Sequence, residues 1–201
     1  MKIILLLVSL ALVQVSFSQE SDLGKAFTKS YAEEYSGEYA SAIKSLKEVY
    51  DEKSYELNLR LGWLSYMAGL FTESQAYYQK AINILPYSIE AKLGFIYPAS
   101  ALGSWDIVIK QYGAILNIDR QNSTANYRLG SIYYGREDYQ RSYKYLEKVV
   151  NLYPFSYDGL ILFAWCNYRL GKLKEARVLF NKTLLLSPGD ASATEGLGMI
   201  K

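Results

Sequence analysis

Hydrophobic residues are arranged in two ways along the chain. At its start they run together. Ile3 to Val13 is apolar except for Ser9, stands behind Lys2, and is followed by Ser16-Phe17-Ser18. A basic residue, a short apolar run and small residues at positions −3 and −1 predict a signal peptide over 1–18, leaving Gln19 first. The run is short for a membrane span, and no later stretch is longer. Beyond it, bulky residues are spaced out among polar ones. Phe71, Trp105, Tyr139 and Leu173 follow one another at intervals of 34. Gly69 and Gly103 lie 34 apart, with Gly171 another 68 on, and Pro86, Pro154 and Pro188 keep the same phase. A fixed period of this length predicts tandem supersecondary units that bury their apolar faces on one another.

The tetrapeptide YRLG occurs at 127–130 and again at 168–171, a separation that is not a multiple of that period. The two copies therefore belong to different phases. Arg60-Leu61-Gly62 precedes Arg128-Leu129-Gly130 by 68, two periods, whereas Gly171 of the second copy stands in the turn-glycine phase.

With Leu-Gly at 61–62 and 129–130, a turn glycine, a small residue at Ser74, Ser142 and Ala176, an aromatic at Tyr78, Tyr112 and Phe180 and a closing proline, the chain resembles the tetratricopeptide repeat family. The resemblance implies an all-α fold, a right-handed α-solenoid of antiparallel helix pairs. Five units are expected, 23–54, 55–88, 89–122, 123–156 and 157–190, after a short leader at 19–22 and before a partial capping helix at 191–201. Asp190 is a plausible N-cap for that last helix, and Gly196 and Gly198 are expected to let it fray. The first unit is two residues short and lacks the closing proline, so its exit near Asp51–Ser54 should differ. Glu137 departs from the turn glycine, Val108 from the small residue, Leu146 from the aromatic and Arg120 from the proline. Pro98 falls within the first helix of the third unit, where its ring predicts either a tolerated kink or a change of curvature that opens the groove.

The resemblance also implies that partners lie along an inner wall made by the first helices, whose contact positions are spaced to share one helical face. Those positions and their neighbours put Tyr31, Tyr35, Arg60, Trp63, Tyr66, Tyr97, Tyr127, Arg128, Tyr134, Trp165, Tyr168 and Arg169 on a candidate partner-binding strip. Aromatics and arginine offer large rigid area with a polar tip, the usual makers of binding hot spots. The Lys/Asn clamp by which some relatives grip a C-terminal carboxylate is missing, since Phe27 and Tyr31, or Leu59 and Trp63, stand in its place. Binding is therefore expected to be more aromatic and less anionic.

Composition narrows the chemistry. Net charge is +2, which gives no electrostatic reason to expect nucleic acid. Tyrosine is abundant, at 20 residues, and histidine is absent, which removes the commonest general base and metal ligand. Cys166 stands alone, so zinc is not expected and no internal disulfide is possible. No phosphate-cradling loop occurs, and adjacent acids such as Glu33-Glu34 point apart on a helix. No catalytic, metal or cofactor site is expected. The reading is a non-enzymatic, exported scaffold that binds a protein or peptide, similar to the repeat scaffolds of bacterial envelopes. Glycan binding on the aromatic strip and self-assembly stay open as alternatives.

Overall fold

A computed structural model describes residues 21–200, so the signal-peptide segment and residues 19–20 of the leader lie outside the described residues. Those residues form eleven helices and no strand. They divide into two compact bodies, through residue 49 and from residue 50 on.

The first body holds α1 (Asp22–Tyr35) and α2 (Tyr39–Lys47). The Ser21 hydroxyl caps α1 by accepting from the Gly24 N–H at 3.1 Å. Ala26, Ala42, Ile43 and Leu46 are buried, α1 and α2 pack on each other, and Ser45 donates to Glu33 at 2.8 Å. Helix α2 is shorter than the other second helices, and the stretch 48–54 separates it from α3, so the exit of this unit does differ.

The second body is an α-solenoid of helix pairs. Its first helices are α3 (Tyr55–Met67), α5 (Ile89–Ala101), α7 (Ser123–Gly135) and α9 (Tyr157–Arg169). Its second helices are α4 (Phe71–Ile84), α6 (Trp105–Ile118), α8 (Tyr139–Leu152) and α10 (Leu173–Leu186), with α11 (Ala191–Met199) beginning one more pair. The starts of both series, at Tyr55, Ile89, Ser123 and Tyr157 and at Phe71, Trp105, Tyr139 and Leu173, keep the period read from the sequence. Each second helix packs on its own first helix and on the first helix that follows.

Three local devices recur. The turn residue between paired helices is left-handed: Gly69 has φ 76°, while Glu137 holds φ 60° where the other pairs have glycine. Around Glu137 the N–H groups of residues 137 and 138 return to the carbonyls of Tyr134 and Tyr133, a Schellman ending that holds the conformation. A left-handed residue with a Cβ costs roughly 1 kcal/mol. Second, serine ties paired helices together: Ser74 and Ser142 donate to the carbonyls of Gly62 and Gly130 at 2.7 and 2.8 Å. Third, a buried side chain near the start of three first helices reaches back to the preceding loop. Asn58 donates to the Glu52 carbonyl, Asn126 to that of Arg120 and Lys92 to that of Pro86. Burial lowers the pKa of Lys92.

In the second body, a wedge residue on each second helix faces one position on its own first helix and one on the first helix that follows. Tyr78 sits between Gly62 and Gly94, and a Cβ added at Gly94 would come 2.1 Å from the ring. Phe180 presses equally closely on Gly196. That packing gives Gly196 a role inside α11, whose N-cap Asp190 accepts from Ala193 at 2.8 Å. Leu146, shorter, seats against Gly130 and has Leu162 at the following position. Tyr112 alone among the wedge aromatics has a bulky residue at both positions, Ile96 and Arg128. Pro98 lies buried in the last turn of α5, which runs unbroken, and its carbonyl accepts from Leu102.

Candidate binding groove

Where Tyr112 meets Ile96 and Arg128, the helices leave a cleft of about 860 Å³ among α5, α6 and α7. Ile96, Val108 and Tyr112 are buried and make its floor. Leu93 and Ile132 form the walls, Tyr97 and Trp105 stand half exposed at the rim, and Ser100, Thr124 and Ser131 add hydroxyls. Burial raises the pKa of the Tyr112 phenol, and the Arg128 guanidinium works against that rise. Arg128 is exposed and has no ion-pair partner among the described residues. Arg136, also lining the cleft, pairs with exposed Asp106 at 3.2 Å.

Several residues singled out from sequence come together here. Trp63, Tyr66 and Tyr97 form one aromatic wall across α3 and α5. Their ring centroids lie 5.9 Å (Trp63–Tyr66), 6.3 Å (Trp63–Tyr97) and 5.5 Å (Tyr66–Tyr97) apart. Tyr97 continues that wall into the cleft, whose lining also holds Arg128. A second group forms around Tyr134, which packs edge-on against Tyr139 at 5.3 Å, with Arg169 close by, where the Tyr134 hydroxyl raises its pKa. Tyr127 is half-buried, and burial raises its pKa.

Other residues of the strip sit differently. Arg60 is buried, rather than beside an open wall as its repeat position suggested. Trp165 is half-buried and tied inward: its indole N–H donates to Ser192 at 2.8 Å, and its ring meets Tyr168 and Phe180 edge-on. Tyr31 and Tyr35 are exposed on α1 of the first body. Trp105, Arg136, Ser131 and the cleft floor were not among the partner-binding residues read from sequence, where Trp105, Val108 and Tyr112 figured only as repeat positions. Their signal is the combination at 96, 112 and 128, which only a comparison of the two partner positions of every wedge would find.

Among the described residues no cluster of His, Cys, Asp and Glu could hold a metal ion. Cys166 is buried, its thiol donates to the Tyr139 carbonyl at 3.3 Å, and burial pushes its pKa up, away from a reactive thiolate. No described helix is long and apolar enough to cross a membrane.

Comparison with known proteins agrees with this architecture. A family model described as tetratricopeptide repeat matches residues 27–89, and one described as anaphase-promoting complex, cyclosome, subunit 3 matches residues 104–183. A tetratricopeptide repeat protein from Parabacteroides merdae is 22% identical with TM-score 0.74, covering 88% of this chain and 71% of that one. MamA from Desulfovibrio magneticus RS-1, from residue 41 to its end, is 18% identical with TM-score 0.70, covering 85% and 98%. YrrB, described as a tetratricopeptide repeat protein with an unusual peptide-binding site, is 19% identical with TM-score 0.66, covering 80% of each chain. No curated protein matches the sequence. The tetratricopeptide repeat model accounts for residues 27–89, and at these identities the structural neighbours speak for the fold alone.

Proposed function

We propose that this tetratricopeptide-type chain is a non-enzymatic scaffold that works outside the cytoplasm and binds a protein or peptide partner along the first-helix face of its second body. The observation that carries the reading is the aromatic wall of Trp63, Tyr66 and Tyr97 running into an apolar-floored cleft lined by an arginine with no ion-pair partner among the described residues. A cleft of this size, mostly apolar with a few convergent polar groups, has the character of a binding site. Half-exposed aromatics and arginine supply hot-spot contacts. That YrrB carries a peptide-binding site on the same fold supports the choice of ligand class. Export rests on the pattern of residues 1–18, which would leave a mature chain starting at Gln19.

The test is selection of displayed random peptides on the purified protein, followed by affinity measurement of the enriched peptides. Tyr97→Ala/Trp105→Ala is expected to weaken them at least about tenfold while the melting temperature stays close to wild type. Peptides that bind both proteins equally would rule out this face.

A further inference from the structure

The structure assigns the cleft at Tyr112 to an internal acidic segment of the partner. One aromatic or large aliphatic side chain fills the floor, and an Asp or Glu close beside it in the partner's sequence pairs with Arg128. This rests on the groove reading above and deepens it.

The cleft has a cause in the repeat itself. A wedge aromatic closes the gap between successive first helices when it meets glycine, as Tyr78 does at Gly94 and Phe180 at Gly196. At the third wedge the corresponding positions hold Ile96 and Arg128, and the cleft is lined by both of them and by Tyr112. Apolar surface stays open there, and burying it against a partner side chain is favourable. Charge selects the neighbour of that side chain. Among the described residues no acid lines the cleft, Arg128 has no ion-pair partner, and Arg136 is engaged only by exposed Asp106. A guanidinium beside apolar surface pairs well with a carboxylate, with geometry that a neutral amide does not reproduce.

The carboxylate belongs to a side chain, not to a chain end, because the contact surface continues on both sides of the cleft. Toward α3 it runs through Tyr97 to Trp63 and Tyr66. On the other side stands the half-buried Tyr134 of α7, with the exposed Arg169 of α9 near it. An occupant of this face passes through the cleft.

The same peptide selection tests this, run with wild type and with Arg128→Glu. Wild-type pools are expected to carry Asp or Glu next to, or one position removed from, an aromatic or large aliphatic residue. Arg128→Glu pools are expected to carry Lys or Arg there instead. A wild-type winner, synthesised with acetylated and amidated ends, should lose about tenfold in affinity when its acid becomes the amide. Arg128→Gln should cost the same, and the two changes together no more than either. Arg128 is exposed, so these variants are expected to fold, and melting curves check it. The inference is overturned by pools with no acidic preference, by a preference that survives Arg128→Glu, or by binding that disappears when the peptide's C-terminus is amidated. In each of those cases peptides still lost with Tyr97→Ala/Trp105→Ala leave the groove reading standing. No enriched peptide at all overturns both.

Discussion

At the scale of single residues, the array depends on how closely a wedge side chain can approach the neighbouring backbone. Gly94 carries the tightest case: a methyl there would lie 2.1 Å from Cε1 of Tyr78, far inside contact distance, and Tyr78 is itself buried. Gly94→Ala is therefore expected to lower stability by about 1–3 kcal/mol through overpacking. Gly113, in the middle of α6, has open space where its Cβ would go. Gly113→Ala should raise stability by about 0.5–1 kcal/mol, because alanine is the better helix former. Urea denaturation followed by circular dichroism separates the two, and equal effects of either sign would remove the wedge account. The reach of Asn58 and Asn126 back to loop carbonyls belongs to the same scale. Their period was visible in sequence, but a buried amide at that position signals nothing until the loop carbonyl is seen beside it.

At the scale of elements, two of the helix starts are carboxylate caps that respond to acid. Asp138 caps α8 and Asp190 caps α11, accepting from the backbone N–H of Arg141 and Ala193. The Arg141 N–H and then its guanidinium hold Asp138 below the usual carboxylate range, and the Tyr157 hydroxyl and then the Ala193 N–H do so for Asp190. A carboxylate with a lowered folded pKa adds stability above its unfolded value of about 3.9, and that contribution is lost as pH falls through the folded value. The melting temperature of wild type is expected to exceed that of Asp138→Asn/Asp190→Asn at about pH 7, with the gap narrowing as pH falls below about 4. A gap independent of pH would show that the charges contribute nothing. Helix pairs, turns and the α11 cap were legible from spacing, because glycine, proline and capping residues act locally and repeat with the unit. The candidate site was legible only in part. Tyr97 at an inner-face position and Arg128 flanking that face do line the cleft, whereas Arg60 shares the repeat position of Arg128 and is buried. Position in the repeat names a helix face, but exposure depends on the neighbours that pack there, and those differ from pair to pair.

At the scale of the molecule, the core of the second body is not one mass. One cluster runs from Tyr78 through Phe95, Tyr112 and Ile115 to Leu129 and Tyr133. Another runs from Leu146 through Leu160, Phe163 and Phe180 to Ile200. In a solenoid each pair is stabilised by its neighbours alone, so a lesion should be felt near where it is made. Phe180 is the sharpest probe. It is fully buried, meets Trp165 edge-on at 5.1 Å and presses on Gly196 of α11. Phe180→Ala removes a wedge from the second cluster and should cost about 3–5 kcal/mol locally. By hydrogen exchange, amides of α9, α10 and α11 are then expected to lose about a hundredfold or more in protection, while those of α3 and α4 keep theirs. A loss of the same size throughout α3 to α11 would mean that the body opens as one cooperative core. Helix pairs would then not be its units of stability, and a cleft opened by one mismatched wedge could not be treated as a local feature.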